Sequence, residues 1–216
     1  MRNCRTVIIP GVELPAPGGR TLFILRHGAT GRPGGEKRFI GQTDLALSRL
    51  GFRQARAWAE IFSGIPLAGM LCSDLKRSRD TAAIIGKRCG IDPVAASGLR
   101  EIDLGAWEGL SFREVRETDP EAFARRGRDP AGYRPGQGES FRDLQRRVVT
   151  GLEGEIRRMS GPILLVGHAG VNRVLLCHLL GLPLKYLFRL AQDPAGLSVV
   201  ALRRGGCRLV ALNTIL

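Results

Sequence analysis

Short apolar runs in this chain end directly in polar residues that can do chemistry, and this pattern constrains the fold most. Thr21-Leu22-Phe23-Ile24-Leu25 hands over at once to Arg26-His27-Gly28. Ala68-Gly69-Met70-Leu71-Cys72 hands over to Ser73-Asp74, and Ile163-Leu164-Leu165-Val166 to Gly167-His168. Apolar runs of this length, bounded by such breaks, read as buried strands. Between them the apolar spacing turns helical. Ser48 can cap a helix that carries Phe52, Ala55, Ala59 and Phe62 at helical intervals. A second helix stops near Gly90, others span about 139–159 and 171–180, and late strands fall near 197–202 and 207–213. Strands alternating with helices imply an α/β fold, three-layer α/β/α, with a mainly parallel central sheet.

A chain of 216 residues holds one or two domains at about 150 residues each. Residues 1–20, rich in Pro and Gly, read as an N-terminal extension, and residues 21–216 as a single domain. The charged stretch at about 106–138 reads as a small helical excursion over the site, with helix-like pieces near 111–117 and 119–126. Hydrophobic residues at 44% and charged residues at 25% exclude wholesale disorder. A chain this long buries roughly 70% of its unfolded surface, so it needs no staple. No apolar run approaches the roughly 18 residues of a membrane span, and the basic-then-apolar pattern of a signal peptide is absent. Cys4, Cys72, Cys89, Cys177 and Cys207 form no C-x-x-C pair and are odd in number, which points to free thiols in a reducing cytoplasm. Cys72, inside a strand, reads as inert.

The net charge is +13, and of 33 basic residues only Lys37, Lys76, Lys87 and Lys185 are lysine. Three readings fit: a polyanion partner, a small anionic substrate gripped by guanidinium forks, or an Arg-biased solvated surface. Aromatic residues make up 6% and are not interleaved with the basic ones as stacking platforms require, which argues against nucleic acid.

In open α/β sheets, sites collect beyond the carboxyl ends of the strands. Of three histidines, His27 and His168 stand at such ends. His178, inside a helix, reads as structural, and Trp107 and Phe112 read as packing for the excursion. P-loop, G-x-S-x-G and H-E-x-x-H motifs are all absent. The spacing from Cys72 to Arg77, with Ser78 next, does not suit a cysteine-phosphatase loop. What remains is His with Arg and a carboxylate, a set that handles a phosphoryl group with no metal or other cofactor.

Leu25-Arg26-His27-Gly28-Ala29-Thr30 resembles the R-H-G motif of the histidine phosphatase superfamily, also called phosphoglycerate mutase-like. The resemblance continues through Gly41-Gln42-Thr43-Asp44, Leu47-Ser48 and Ser73-Asp74-Leu75-Lys76-Arg77-Ser78-Arg79-Asp80-Thr81-Ala82. It extends to Leu99-Arg100-Glu101-Ile102, Trp107-Glu108-Gly109, Gly138-Glu139-Ser140, and Gly167-His168-Ala169-Gly170-Val171 with Arg173. The resemblance implies that His27 is the nucleophile, becoming phosphohistidine. It implies that Arg26, Arg77 and His168, with Ala169 beside them, hold the phosphoryl oxygens, and that Glu101 donates a proton. Gly41, Gln42 and Arg79 fall where some members contact substrate. The chain departs from the family at Pro33, where many members have Asn, so that phosphate contact is absent or supplied elsewhere.

These residue types suit the reaction. The transition state of phosphoryl transfer spreads charge over equatorial oxygens. Arginines are permanent cations with forked donors, and an imidazole with a pKa of about 6.5 is readily neutral near pH 7. The leading expectation is a phosphomonoesterase for a small phosphorylated metabolite, without a membrane partner and with a homodimer left open. Phe39-Ile40-Gly41-Gln42-Thr43-Asp44 is similar to the α-ribazole phosphatases and their broad-specificity relatives. The alternatives are phosphoglycerate mutase-type transfer and, outside enzymes, an Arg-rich polyanion-binding protein on the same fold. Only residues 102–138 separate Glu101 from Glu139, a small lid that favours hydrolysis over mutase transfer.

Overall fold

Phe23 and Ile24 are neighbours in one strand, yet they feed two different cores. In the computed structural model, which describes residues 9, 12, 20–31, 36–203 and 205–216, strand β1 (Arg20–Arg26) is buried on both faces. Leu22 and Ile24 face one cluster, Phe23 and Leu25 the other. This two-sided burial explains why the strand reads as an unbroken apolar run.

The other strands are β2 (Gly69–Ser73), β3 (Val94–Ala96), β4 (Ile163–Gly167), β5 (Leu197–Arg203) and β6 (Gly206–Thr214). They form one sheet in the order β3-β2-β4-β1-β5-β6. The first three pairings are parallel, and β5 and β6 close one edge antiparallel. Helices α1 (Arg49–Phe62) and α2 (Lys76–Cys89) cover the Phe23 face through Trp58, Phe62, Ala82 and Ile85. Helices α5 (Phe141–Arg158) and α6 (Ala169–Leu180) cover the Ile24 face through Leu144, Val148, Val171 and Val174. The result is three layers, as expected.

The excursion carries α3 (Phe112–Thr118) and α4 (Pro120–Arg128). A capping box at Ser111 and Glu114 starts the first, and Asp119 caps the second ahead of Pro120. Phe39 anchors the excursion to the loop after β1, with ring centroids 4.2 Å from Phe112 and 5.0 Å from Trp107. Both aromatic residues therefore pack, as read.

The local signals at α1 and α2 behave as expected. Ser48 accepts from the Gly51 N–H, and Gly90 ends α2 in the left-handed region at φ 70°. One expectation needs correction. Phe52 is 38% exposed, because the buried stripe of α1 runs through Gly51, Ala55, Trp58, Ala59 and Phe62, and position 52 lies off it. Trp58 fills the core instead and donates its ring N–H to the Ala195 carbonyl at 2.8 Å. Strand β3 has no apolar signature because it is a short exposed edge. His178 is exposed in the last turn of α6, where a basic side chain complements the helix dipole.

Of residues 1–20, only Ile9, Val12 and Arg20 are described, and Ile9 is fully buried against the Phe23 face. Cys72, Cys89, Cys177 and Cys207 are free, while Cys4 lies outside the described residues. Burial pushes the Cys72 thiol up to about 11, which keeps it protonated and unreactive. Among the described residues, no helix is long and apolar enough to cross a membrane.

Helix α1 leaves β1 toward one face, whereas α6 leaves β4 toward the other. The crevice between β1 and β4 is therefore the topological switch point, where α/β sheets bind ligands.

Candidate active site

Register brings the two strand-end histidines together. Arg26 of β1 pairs with Gly167 of β4, so the residues that follow, His27 and His168, emerge side by side. Their ring centroids lie 5.1 Å apart at 61°. The His27 N–H donates to the Gly167 carbonyl at 3.0 Å, and the His27 carbonyl accepts from Ala195 at 3.0 Å.

Hydrogen bonding assigns the His27 tautomer. Its Nδ1 is 2.8 Å from the Gly28 carbonyl, which can only accept. Its Nε2 receives the Arg77 Nε–H at 3.2 Å, and a guanidinium can only donate. The proton therefore sits on Nδ1, and Nε2 carries the lone pair. Burial, then the nearby Arg26 and Arg77 charges, hold the imidazole pKa well below 6.5. His168 is fully buried, and among the described residues neither of its ring nitrogens has a hydrogen-bond partner. Its pKa is also held well below the ordinary value, by burial first and then by His27, Arg77 and Arg26. Such a buried, unpartnered polar ring is costly unless a ligand satisfies it.

Arg77 is 2% exposed and is held from several sides. Its Nη groups donate to the carbonyls of Thr43 at 2.7 Å and Gly41 at 2.6 Å. The next residue, Ser78, donates to the Val166 carbonyl of β4 at 2.7 Å and accepts from the Ser73 N–H at the end of β2. Asp44 accepts from the Lys76 N–H at 2.6 Å, so the start of α2 is tied to the loop after β1. Arg26 donates through Nη1 to the Gln192 carbonyl at 2.6 Å.

Glu101 is buried at the start of α6. One carboxylate oxygen accepts from the Gly170 N–H at 2.9 Å, the other from the Ile102 N–H at 2.8 Å. A Cβ at Gly170 would collide with this carboxylate, so a side chain there would displace it. Ala169 opens α6, where first-turn N–H groups lack intrahelical partners and can face an anion. Gln42 donates its side-chain amide to the Glu101 carbonyl at 3.2 Å, which puts the Gly41–Thr43 loop beside the acid. The structure does not bring Arg79 to this cluster. It is exposed on α2, two residues and so about 200° around the helix from Arg77. Pro33 lies outside the described residues. Among the described residues, no group of three or more His, Cys, Asp or Glu side chains could hold a metal ion.

Two supports carry no distinctive sequence signal. Arg147 of α5 pairs bidentately with Glu139 at 2.8 and 2.7 Å, and it donates to the carbonyls of Gly98, Arg100 and Glu101. This pair holds the segment that presents Glu101. Glu108 accepts from the N–H groups of Gly41, Gln42 and Thr43 and from the Thr43 hydroxyl, fixing the loop whose carbonyls hold Arg77. Glu139 and Glu108 sit inside motif blocks, but only long-range pairing shows what they hold.

The profile of the histidine phosphatase superfamily (branch 1) matches residues 22–215. The chain belongs to this superfamily. Among curated superfamily relatives, a bifunctional protein of Mycobacterium tuberculosis is 36% identical over 195 residues, 88% of this chain but 52% of its own length. The chain thus spans about half of that protein. A glucosyl-3-phosphoglycerate phosphatase of Mycolicibacterium vanbaalenii is 36% identical over 172 residues, 76% of each chain. Among solved structures, a putative alpha-ribazole-5'-P phosphatase from Escherichia coli matches with a TM-score of 0.82 at 25% identity, covering 91% of this chain and 97% of that one.

Proposed function

We propose that the chain is a phosphomonoesterase that hydrolyses a small phosphorylated metabolite through a phosphohistidine on His27, without a metal ion. The observation that carries this reading is the ring pair. A bare, neutral Nε2 on His27 stands 5.1 Å, ring to ring, from a buried His168 whose nitrogens have no partner among the described residues. A phosphoryl group between them would give the nucleophile an electrophile and His168 an acceptor.

The steps follow from the side chains. Arg26, Arg77 and His168 donate to the non-bridging oxygens, which gather charge in the transition state. The lone pair of Nε2 attacks phosphorus in line, with the Arg77 Nε–H turning from nitrogen to oxygen. The ester P–O bond breaks, and the leaving oxygen takes a proton from Glu101. Water then attacks the phosphohistidine and passes its proton to Glu101. Phosphate departs and the neutral imidazole returns.

The names of the glucosyl-3-phosphoglycerate phosphatase and alpha-ribazole-5'-P phosphatase relatives support hydrolysis, and a relative from Yersinia pestis named a probable phosphoglycerate mutase, 32% identical over 181 residues, keeps mutase transfer as the alternative. The E. coli neighbour and the Phe39–Asp44 stretch support an α-ribazole phosphatase-like or broad-specificity enzyme. Free thiols at Cys72, Cys89, Cys177 and Cys207 suit a cytoplasmic setting.

The test is phosphate release from p-nitrophenyl phosphate and from a metabolite panel that includes 3-phosphoglycerate and α-ribazole phosphate. Turnover is expected to persist in EDTA and to vanish in His27→Ala. An active His27→Ala would overturn the nucleophile, activity lost in EDTA and restored by metal would overturn metal independence, and isomerisation of 3-phosphoglycerate without phosphate release would favour the mutase.

A further inference from the structure

Asn172 interrupts the buried aliphatic side of α6. Its buried neighbours Val171, Val174, Leu175 and Leu176 are aliphatic, whereas Asn172 brings an amide into the same interior. That amide meets one other. Its Nδ2–H donates to Oε1 of Gln192 at 2.9 Å, and Gln192 is also buried. Among the described residues, the other ends of the pair, Asn172 Oδ1 and Gln192 Nε2, have no hydrogen-bond partner. Burying two amides for one hydrogen bond costs more than burying two aliphatic side chains of similar size. Packing alone therefore does not account for the pair.

Both residues reach the site through short backbone contacts. The Gln192 carbonyl accepts the Arg26 Nη1–H at 2.6 Å. Three and four residues on, the Ala195 N–H holds the His27 carbonyl, and the Gly196 carbonyl accepts the Arg26 N–H at 3.0 Å. On the other side, the Asn172 N–H donates to the His168 carbonyl at 2.9 Å. The Asn172 amide also lies against Gly167, where a Cβ would come within 2.5 Å of Oδ1. The Gly167 carbonyl is the acceptor of the His27 N–H. One amide–amide contact thus ties the segment that holds Arg26 to the helical turn that begins at His168. An arginine side chain is long and rich in rotamers, so the aim of its fork depends on how firmly its acceptor is held.

We propose that Asn172 and Gln192 are positioning residues that set the Arg26 guanidinium against His168, so that both face the same phosphoryl oxygens. This inference rests on the phosphatase reading and adds to it two residues outside the motif blocks.

The test is a double-mutant cycle with Arg26. Asn172→Leu keeps the volume and removes the amide. It is expected to lower kcat/KM for p-nitrophenyl phosphate about tenfold, short of the about 10²–10³ that loss of a preorganised donor costs. In an Arg26→Gln background the same change should cost less than about twofold, because the group it positions is gone. The dissociation constant of inorganic phosphate, measured by calorimetry, should follow the same pattern. An equal effect of Asn172→Leu in both backgrounds would mean that the pair only supports the fold and would overturn the proposal. An Asn172→Leu protein as active as the parent would overturn it too. If Asn172→Leu fails to fold by circular dichroism, Gln192→Met, which retains the carbonyl that holds Arg26, carries the same cycle. Absence of phosphate release from every ester would sink the phosphatase reading alone, because the phosphate-binding cycle does not depend on turnover.

Discussion

Arg77 donates its Nε–H to the Nε2 of His27 at 3.2 Å, while the carbonyls of Gly41 and Thr43 grip the ends of the same guanidinium. In the proposed reaction this one side chain aligns the nucleophile and stands braced for the phosphoryl oxygens. Arg77→Lys keeps the charge but loses the fork. Its kcat on p-nitrophenyl phosphate is expected to fall by about 10²–10³, the usual cost of one preorganised donor. A variant as fast as the parent would remove Arg77 from the reaction.

In the proposed reaction Glu101 protonates the leaving group, so the effect of its loss should scale with how much that group needs a proton. Glu101→Gln is expected to slow alkyl phosphates more than p-nitrophenyl phosphate, whose leaving group departs readily as an anion. Equal slowing across a series of leaving groups would exclude it as the acid.

The Arg147–Glu139 pair is about a quarter exposed on each side and holds three carbonyls of the Glu101 segment. Removing one partner leaves the other largely buried without its charge mate. Glu139→Gln is expected to cost about 2 kcal/mol of unfolding free energy in urea, less than a fully buried pair because solvent screens part of it. If the pair positions the acid, Glu139→Gln should also shift the leaving-group dependence of kcat toward that of Glu101→Gln. A stability loss with unaltered leaving-group dependence would confine the pair to structure.

Acid should destabilise the fold through the two site histidines. Both have folded pKa values well below 6.5, because burial and neighbouring arginines oppose their cations. Histidines in the unfolded chain take up protons near 6.5, so below that pH the unfolded state binds more protons. Stability from these rings is complete above about pH 7.5. It is lost as pH falls, at up to about 1.4 kcal/mol per pH unit for each ring. The depressed carboxylates, Asp74, Glu114 and Asp143, act only at lower pH, below about 4.5. Melting temperatures between pH 5 and 8 should therefore slope more steeply in the parent than in His168→Asn. The acid limb of kcat/KM should also lie below 6.5, since the nucleophile stays neutral there. Parallel melting curves would contradict buried neutral imidazoles.

The central layer was legible because Leu22–Leu25 and Ile163–Val166 are buried on both faces and announce themselves as apolar runs. His27 and His168 were legible because polar residues stop those runs. Phe52 misled because helical spacing alone does not say where on the circumference the buried stripe is centred; the bulk of Trp58 decides it. Arg147 lies on α5 with nothing local to mark it, and its role depends on carbonyls far along the chain. Glu108 sat in plain view in a motif, but its three loop N–H partners appear only when the excursion folds back on Gly41–Thr43. Asn172 and Gln192 meet only through the packing of α6 against the segment before β5.

The ladder that matches Arg26 to Gly167 has a mechanical corollary. Both imidazoles are bolted to adjoining central strands, so their spacing cannot drift unless the sheet itself unzips. For the reaction proposed, admission of substrate and escape of phosphate then fall to the surrounding loops, while the two rings keep the rigidity of the innermost part of the molecule.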